Sequence, residues 1–157
     1  MAEFSRRDFL KLAGAGSAVA VGGAFTANFL RHSDAGTYNF RGVVGLPKVP
    51  LPSYASYVLD GRINLGTGTG TVRKAVFAGA PDAMSAITLP GLSRTLRVTE
   101  VRRDGGSLLL QAVVDDRNVL RPTESPWSLI RIEPSRGLVF APLVNTEHVL
   151  HLVGTRR

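Results

Sequence analysis

The sequence predicts an all-β fold: a small antiparallel barrel or sandwich of about seven to eight strands, behind an N-terminal apolar helix. From Tyr54 onward, apolar runs of five to nine residues alternate with groups of Gly, Pro, Asp and Ser, the rhythm of short strands joined by tight turns. Over the same stretch only residues 80–87, "APDAMSAI", leave room for a helical turn; elsewhere period-two alternation and β-branched residues prevail. The roughly one hundred residues from Tyr54 to the C-terminus suit one small barrel or sandwich, and no internal repeat divides them.

The first element is the apolar one. Ser5-Arg6-Arg7-Asp8-Phe9-Leu10-Lys11 precedes nineteen uncharged residues, 12–30. Positive charge ahead of an apolar run holds the N-terminus on the cytoplasmic side, so the remainder belongs across the membrane. Residues 12–30 have no polar face, which excludes an ordinary amphipathic helix. Gly14, Gly16, Gly22 and Gly23 make them a weak span, because glycine costs helix stability and buries little area. Nineteen residues at ~1.5 Å each still approach the ~30 Å hydrocarbon thickness, so the run has the length of an anchor. The alternative fate is cleavage after Ala35, where Ser33-Asp34-Ala35 gives the small-x-small pattern; the low hydrophobicity of the run favours it.

At every position Ser5 to Lys11 resembles the twin-arginine (Tat) signal: a serine, two arginines, a free position at Asp8, then Phe, Leu and Lys. The resemblance implies export of already folded cargo across the cytoplasmic membrane of a bacterium or archaeon, to the periplasm, the cell surface or the medium. It further implies that Arg6 and Arg7 are read by the Tat translocase, with Phe9, Leu10 and Lys11 assisting.

Residues 36–53 contain Pro47, Pro50 and Pro52. Each proline fixes its own φ and biases its predecessor toward extended geometry, so the stretch is expected to be a polyproline-like spacer, with the β domain running over 54–157. Within "SYVLDGRINL", Asp60-Gly61 is the dipeptide of a two-residue hairpin turn. "GTVRKAVFAG" reads as a strand with Val72 and Val76 on one face. "TLRVTEVRR" meets "SLLLQAVVD" across Asp104-Gly105-Gly106, and "WSLIRIE" meets "LVFAPL" across Pro134-Ser135-Arg136-Gly137. "EHVLHLVG" closes the domain. Alternation puts Ile130 and Ile132 on one face and Trp127, Leu129 and Arg131 on the other. In 107–114 both faces are apolar, Leu108 and Leu110 against Leu109 and Val113, so the strand is expected to be central or covered on its outer side, by a protein partner or a second copy of the chain.

Charge and composition narrow the chemistry. Beyond residue 35 the chain carries fifteen basic against nine acidic side chains, with Lys48 and Lys74 its only lysines. The arginines are scattered singly or in pairs, which fits a solvated basic surface rather than a nucleic-acid site. The absence of cysteine excludes disulfides, thiolate metal sites, Fe–S clusters and cysteine nucleophiles. "GTGTGT" (66–71) has neither dinucleotide-fingerprint nor Walker spacing, and an alternating strand follows it, so it reads as a strand connection. His148 and His151 point to opposite faces on a strand and lack a third ligand. Asp115-Asp116 and Glu124 offer carboxylates, yet "DDRN" follows a strand and has the composition of a turn. No serine sits in a G-x-S-x-G elbow. Arg97, Trp127 and Arg131 remain as a candidate surface for stacking and anion contacts.

These observations point to an exported, non-catalytic binding or accessory subunit of the cell envelope, with no cofactor, no metal and no nucleic-acid partner. It would meet a membrane only if the N-terminal run is retained. A barrel holding a lipid or apolar metabolite, and a cofactor-free barrel enzyme, are the alternatives. Lysine lacks the planar five-donor fork of arginine, so the Arg6→Lys/Arg7→Lys double variant is expected to leave folded protein in the cytoplasm. Cell fractionation checks this, and unchanged export would overturn the pathway assignment.

Overall fold

In a computed structural model, residues 36–48 and 53–153 are described; the helix expected over 12–30 lies outside them. Among the described residues eight strands, β1 (Thr37–Lys48), β2 (Ser53–Asn64), β3 (Thr69–Ala78), β4 (Arg94–Asp104), β5 (Ser107–Val114), β6 (Trp127–Glu133), β7 (Leu138–Leu143) and β8 (Thr146–Leu152), form a closed antiparallel barrel in sequence order. Of the two expected architectures the barrel is the one formed. The seam is short: β1 meets β8 through Gly42–Leu152 and Val43–His151, continued by a Val153 N–H···O=C Arg41 bond of 2.9 Å.

Two expectations are corrected here. Residues 37–48 are not a spacer but strand β1, paired residue for residue with β2, so the barrel begins at Thr37 rather than Tyr54. The physical reason lies in Tyr38, Phe40, Val44 and Leu46, which alternate along the strand and pack into or against the core. Proline is tolerated near a strand end, and Pro47 lies next to the last residue of β1. Asp60-Gly61 is not a turn either. β2 runs through it, and Gly61 sits opposite Phe40, whose buried ring lies across the position a Cβ would take. Glycine here gives up a side chain so that an aromatic from the neighbouring strand can cover the backbone.

The turns are local chemistry. Asn64 Oδ1 accepts from the N–H groups of Gly66 and Thr67 at 2.9 and 3.0 Å, an Asx turn that ends β2 within "GTGTGT". Gly105 and Gly106 have φ of 53° and 95°, the left-handed pair that a two-residue hairpin requires. Residues 134–136 form a 3-10 turn closed by Gly137 at φ 65°. Residues 80–87 hold turns but no helix; Ser56 Oγ donates to Gly79 O at 2.8 Å and fastens this connection to β2.

Alternation then builds the inside. Tyr57, Leu59, Ile63, Val72, Leu96, Leu108, Leu110, Ile130, Ile132 and Leu150 are fully buried and belong to one cluster with Tyr38 and Phe40. Each such side chain contributes about 1.5–3 kcal/mol by leaving water. On the outer face of β3, by contrast, Thr69, Thr71 and Arg73 are exposed. Apolar inside and polar outside is the reverse of a lipid-facing barrel wall. An eight-stranded barrel is just wide enough for side chains to fill its lumen, and these do.

A Cβ at Gly61 has to displace the Phe40 ring, so Gly61→Ala is expected to cost about 1–3 kcal/mol of stability from overpacking. In a Phe40→Leu background the same substitution is expected to cost clearly less. Denaturant unfolding of the double-mutant cycle reads the coupling, and strict additivity would refute the contact.

Candidate binding surface

β6 sets the geometry of the outer wall. Its buried Ser128, Ile130 and Ile132 face the lumen, while Trp127, Leu129 and Arg131 face out, as alternation predicts. Cross-strand pairing extends these positions into two rows. In the first, Arg97 on β4, Val113 on β5 and Trp127 on β6 are successive partners. In the second, Arg102, Leu109, Arg131, Phe140 and Val149 run from β4 to β8.

The two rows explain why β5 is buried on both faces without any partner. Leu109 is 6% exposed and Val113 5%. Leu109 lies between Arg102 and Arg131, and Val113 between Arg97 and Trp127. Long arginine stems and an indole ring cover apolar neighbours while their polar ends stay in water. The outer cover expected from a second protein is therefore supplied by the chain itself.

Of the three candidate residues, Arg97 and Trp127 are thus brought together across Val113, whereas Arg131 lies about 13 Å further along β6. Arg97 Nε is 3.4 Å from Asp115 Oδ1, and that side chain remains 63% exposed. Arg131 has its guanidinium 4.2 Å above the Phe140 ring and its Nε 3.3 Å from Glu133 Oε1. Trp127 and Val149 are exposed, and Leu129, Arg131, Phe140 and Glu147 line a shallow depression beside Val149. Phe140 faces outward because its register partner is Arg131, a placement that needed the strand pairing.

A second polar group closes the barrel end opposite Thr37 and Leu152. Lys74 points inward from β3, is 2% exposed, and donates to Pro142 O at 3.3 Å and Ser128 Oγ at 3.4 Å. Its register partner Arg94 is also inward. Arg94 donates to Glu124 through Nε at 3.1 Å and Nη2 at 2.6 Å, and to the carbonyls of Ser93 and Gly91 at 2.8 and 3.1 Å. Tyr57 OH donates to Pro142 O at 3.1 Å, and the inward ring of His148 packs edge-on against Tyr57. Burial pushes the Lys74 ammonium down to about 8; Arg94 adds to this and Glu124 opposes it. Burial pushes Tyr38 up to about 12 and Tyr57 higher still.

Glu124 is therefore not one of a pair of carboxylates with Asp115 or Asp116. It is the counter-ion of Arg94, while Asp115 faces Arg97. His148 and His151 do lie on opposite faces, inward and outward respectively. An amine held near 8 has the basicity of a nucleophile or base, but Lys74 is enclosed, and among the described residues no buried side-chain polar atom lacks a partner. The cluster holds two connections, 90–94 and 121–124, against the barrel end. The signal for Lys74 is the alternation of β3: Val72 and Val76 on one face place residue 74 on that same face.

Residues 3–24 match the family model described as the TAT (twin-arginine translocation) pathway signal sequence, a span that includes Arg6, Arg7, Phe9, Leu10 and Lys11. No curated protein and no solved structure matches the chain. The signal directs the protein to the Tat translocase and across the cytoplasmic membrane.

The lowered Lys74 pKa has a definite sign. Unfolded lysine titrates near 10.5 and folded Lys74 near 8, so between these values the unfolded chain binds more protons and stability rises with pH. The rise from pH 8 to pH 10 is expected to be about 2 kcal/mol. Lys74→Met is expected to abolish this slope and to leave the protein at least as stable at pH 7, because it removes a buried charge while Tyr57 still serves Pro142 O. Urea denaturation across the pH range checks both.

Proposed function

We propose that the barrel is a non-catalytic binding or accessory subunit of the cell envelope, and that a protein partner sits on the outer wall of β6–β8. The observation that carries the proposal is the contrast between the two sides of the wall. The lumen is filled by one core cluster, while outside Trp127 and Val149 are exposed beside Leu129, Phe140 and the Arg131 guanidinium. Aromatic, aliphatic and arginine side chains in one patch are what the centres of protein interfaces use. A filled lumen speaks against a carrier of lipid or apolar metabolites. The burial and mutual pairing of Lys74, Arg94, Glu124, Tyr57 and His148 speak against an active site there.

Cleavage after Ala35 fits the fold, because it leaves a single residue, Gly36, before β1. Should residues 12–30 instead stay in the membrane, β1 begins only six residues after the anchor and holds the barrel close to the bilayer.

The test is native purification of the exported protein from the envelope fraction, with mass spectrometry and with a photo-crosslinker at position 149. A crosslinked partner that co-purifies with the wild type is expected to be reduced about tenfold or more in the Trp127→Ser/Val149→Ser variant, the loss typical of central interface residues. Recovery of the wild type as a monomer without any protein crosslinked at position 149 would overturn the proposal.

A further inference from the structure

On the other side of the barrel the register gathers arginines that the sequence scatters. Arg62 on β2, Thr71 on β3 and Arg97 on β4 are successive cross-strand partners, all exposed on the outer face. Arg73 and its partner Thr95 lie one step along the same two strands, also exposed. Arg62 and Arg97 are two strands apart, about 10 Å at the backbone, and Arg73 is a diagonal neighbour of both, about 7–8 Å away. The three positions thus form a triangle with Thr71 between Arg62 and Arg97, while Asp60 and Thr95 flank Arg73 on either side.

Carboxylates border this triangle: Asp60 is the cross-strand partner of Arg73, and Asp115 and Asp116 line the same cleft as Arg73. Asp60 faces Arg41 at 3.4 Å and Asp115 faces Arg97 at 3.4 Å. Among the described residues Arg62 and Arg73 make no ion pair. Towards the loop end the face stops at Asp115 and Asp116, and the two arginines outside the ion pairs, Arg62 and Arg73, lie on β2 and β3. Guanidinium groups are weakly hydrated planar forks that match phosphate oxygens two at a time, and hydroxyls donate to the same oxygens.

We propose that this Arg62–Arg73–Arg97 face binds a phosphate-chain polyanion encountered outside the cytoplasmic membrane. The shape of the wall selects a chain over a bilayer. Three adjacent strands of an eight-stranded barrel turn through about a quarter of its circumference, so a flat lipid surface touches the triangle along one line, whereas a flexible chain follows the curve. The proposal is independent of the protein partner on β6–β8, because the two surfaces lie on different strands.

The experiment uses the exported protein purified from the envelope fraction, with long-chain inorganic polyphosphate as probe in calorimetric titrations at several salt concentrations. Wild-type binding is expected to weaken steeply with salt. Arg62→Gln and Arg73→Gln are each expected to lower affinity about tenfold at low salt and to reduce the slope of log K against log salt by about one. Arg62→Lys is expected to keep the slope while losing part of the affinity, since it retains the charge without the fork. Arg136→Gln, at the terminal end of the barrel, is expected to leave binding unchanged. An equal loss from Arg136→Gln, showing that only net charge matters, would overturn the proposal. So would binding to phosphatidylglycerol-containing vesicles without binding to polyphosphate. Variants at Trp127 and Val149 test the protein partner on a separate readout, so either proposal can fail alone.

Discussion

Closure at the β1–β8 seam is the constraint on which the remaining structure depends. Two residue pairs, Gly42–Leu152 and Val43–His151, join the first strand to the last. Without them β1 and β8 would present open edges, with a ladder of unpaired backbone groups. Tyr38 and Phe40 on β1 share one core with Leu150 on β8, across the seam. With the seam closed, each strand has one face in the lumen and one in water. That division decides which side chains are spent on packing and which remain available for recognition.

At the loop end the lumen is closed by charge rather than by hydrocarbon. Lys74 and Arg94 enter side by side from β3 and β4, and Glu124 arrives from the connection between β5 and β6 to meet them. Buried ions of this kind recover their desolvation only through good geometry. The bidentate Arg94–Glu124 pair and the carbonyls of Gly91, Ser93 and Pro142 provide that geometry. The consequence is positional: the connections around Gly91 and Glu124 are held against the barrel, next to the wall that carries Arg73, Thr95 and Arg97. A chain without cysteine has no disulfide to stiffen these segments after export. A signal for the Tat translocase fits a fold whose stability comes from a filled lumen formed before the membrane is crossed.

Much of the fold was legible in local chemistry. Gly105-Gly106 and Pro134 to Gly137 turn where their composition says they should, and β6 alternates as its sequence alternates. The failures have a common origin. Pro47, Pro50 and Pro52 outweighed the alternation of Tyr38, Phe40, Val44 and Leu46, although a strand near its end can carry a proline. Asp60-Gly61 looked like a turn because the glycine lacks a side chain. Its covering side chain is the Phe40 ring, brought there from another strand. The candidate surface was legible in part: Trp127 and Arg131 share a face by period two alone, whereas Arg97 joined Trp127 only through the pairing of both with Val113.

The sequence by itself determined the address, the class of the fold and the alternation of most strands, because each rests on residues close together along the chain: seven for the signal motif, two to four for a turn, every second residue for a strand face. The tertiary structure decided what depends on strands meeting. It made β1 a wall of the barrel, turned Lys74 and Arg94 into a polar closure, covered Leu109 and Val113 from within the chain, and assembled Arg62, Arg73 and Arg97 into one face. Register between strands is set by the fit of whole faces into one lumen, and no short stretch of sequence contains that fit.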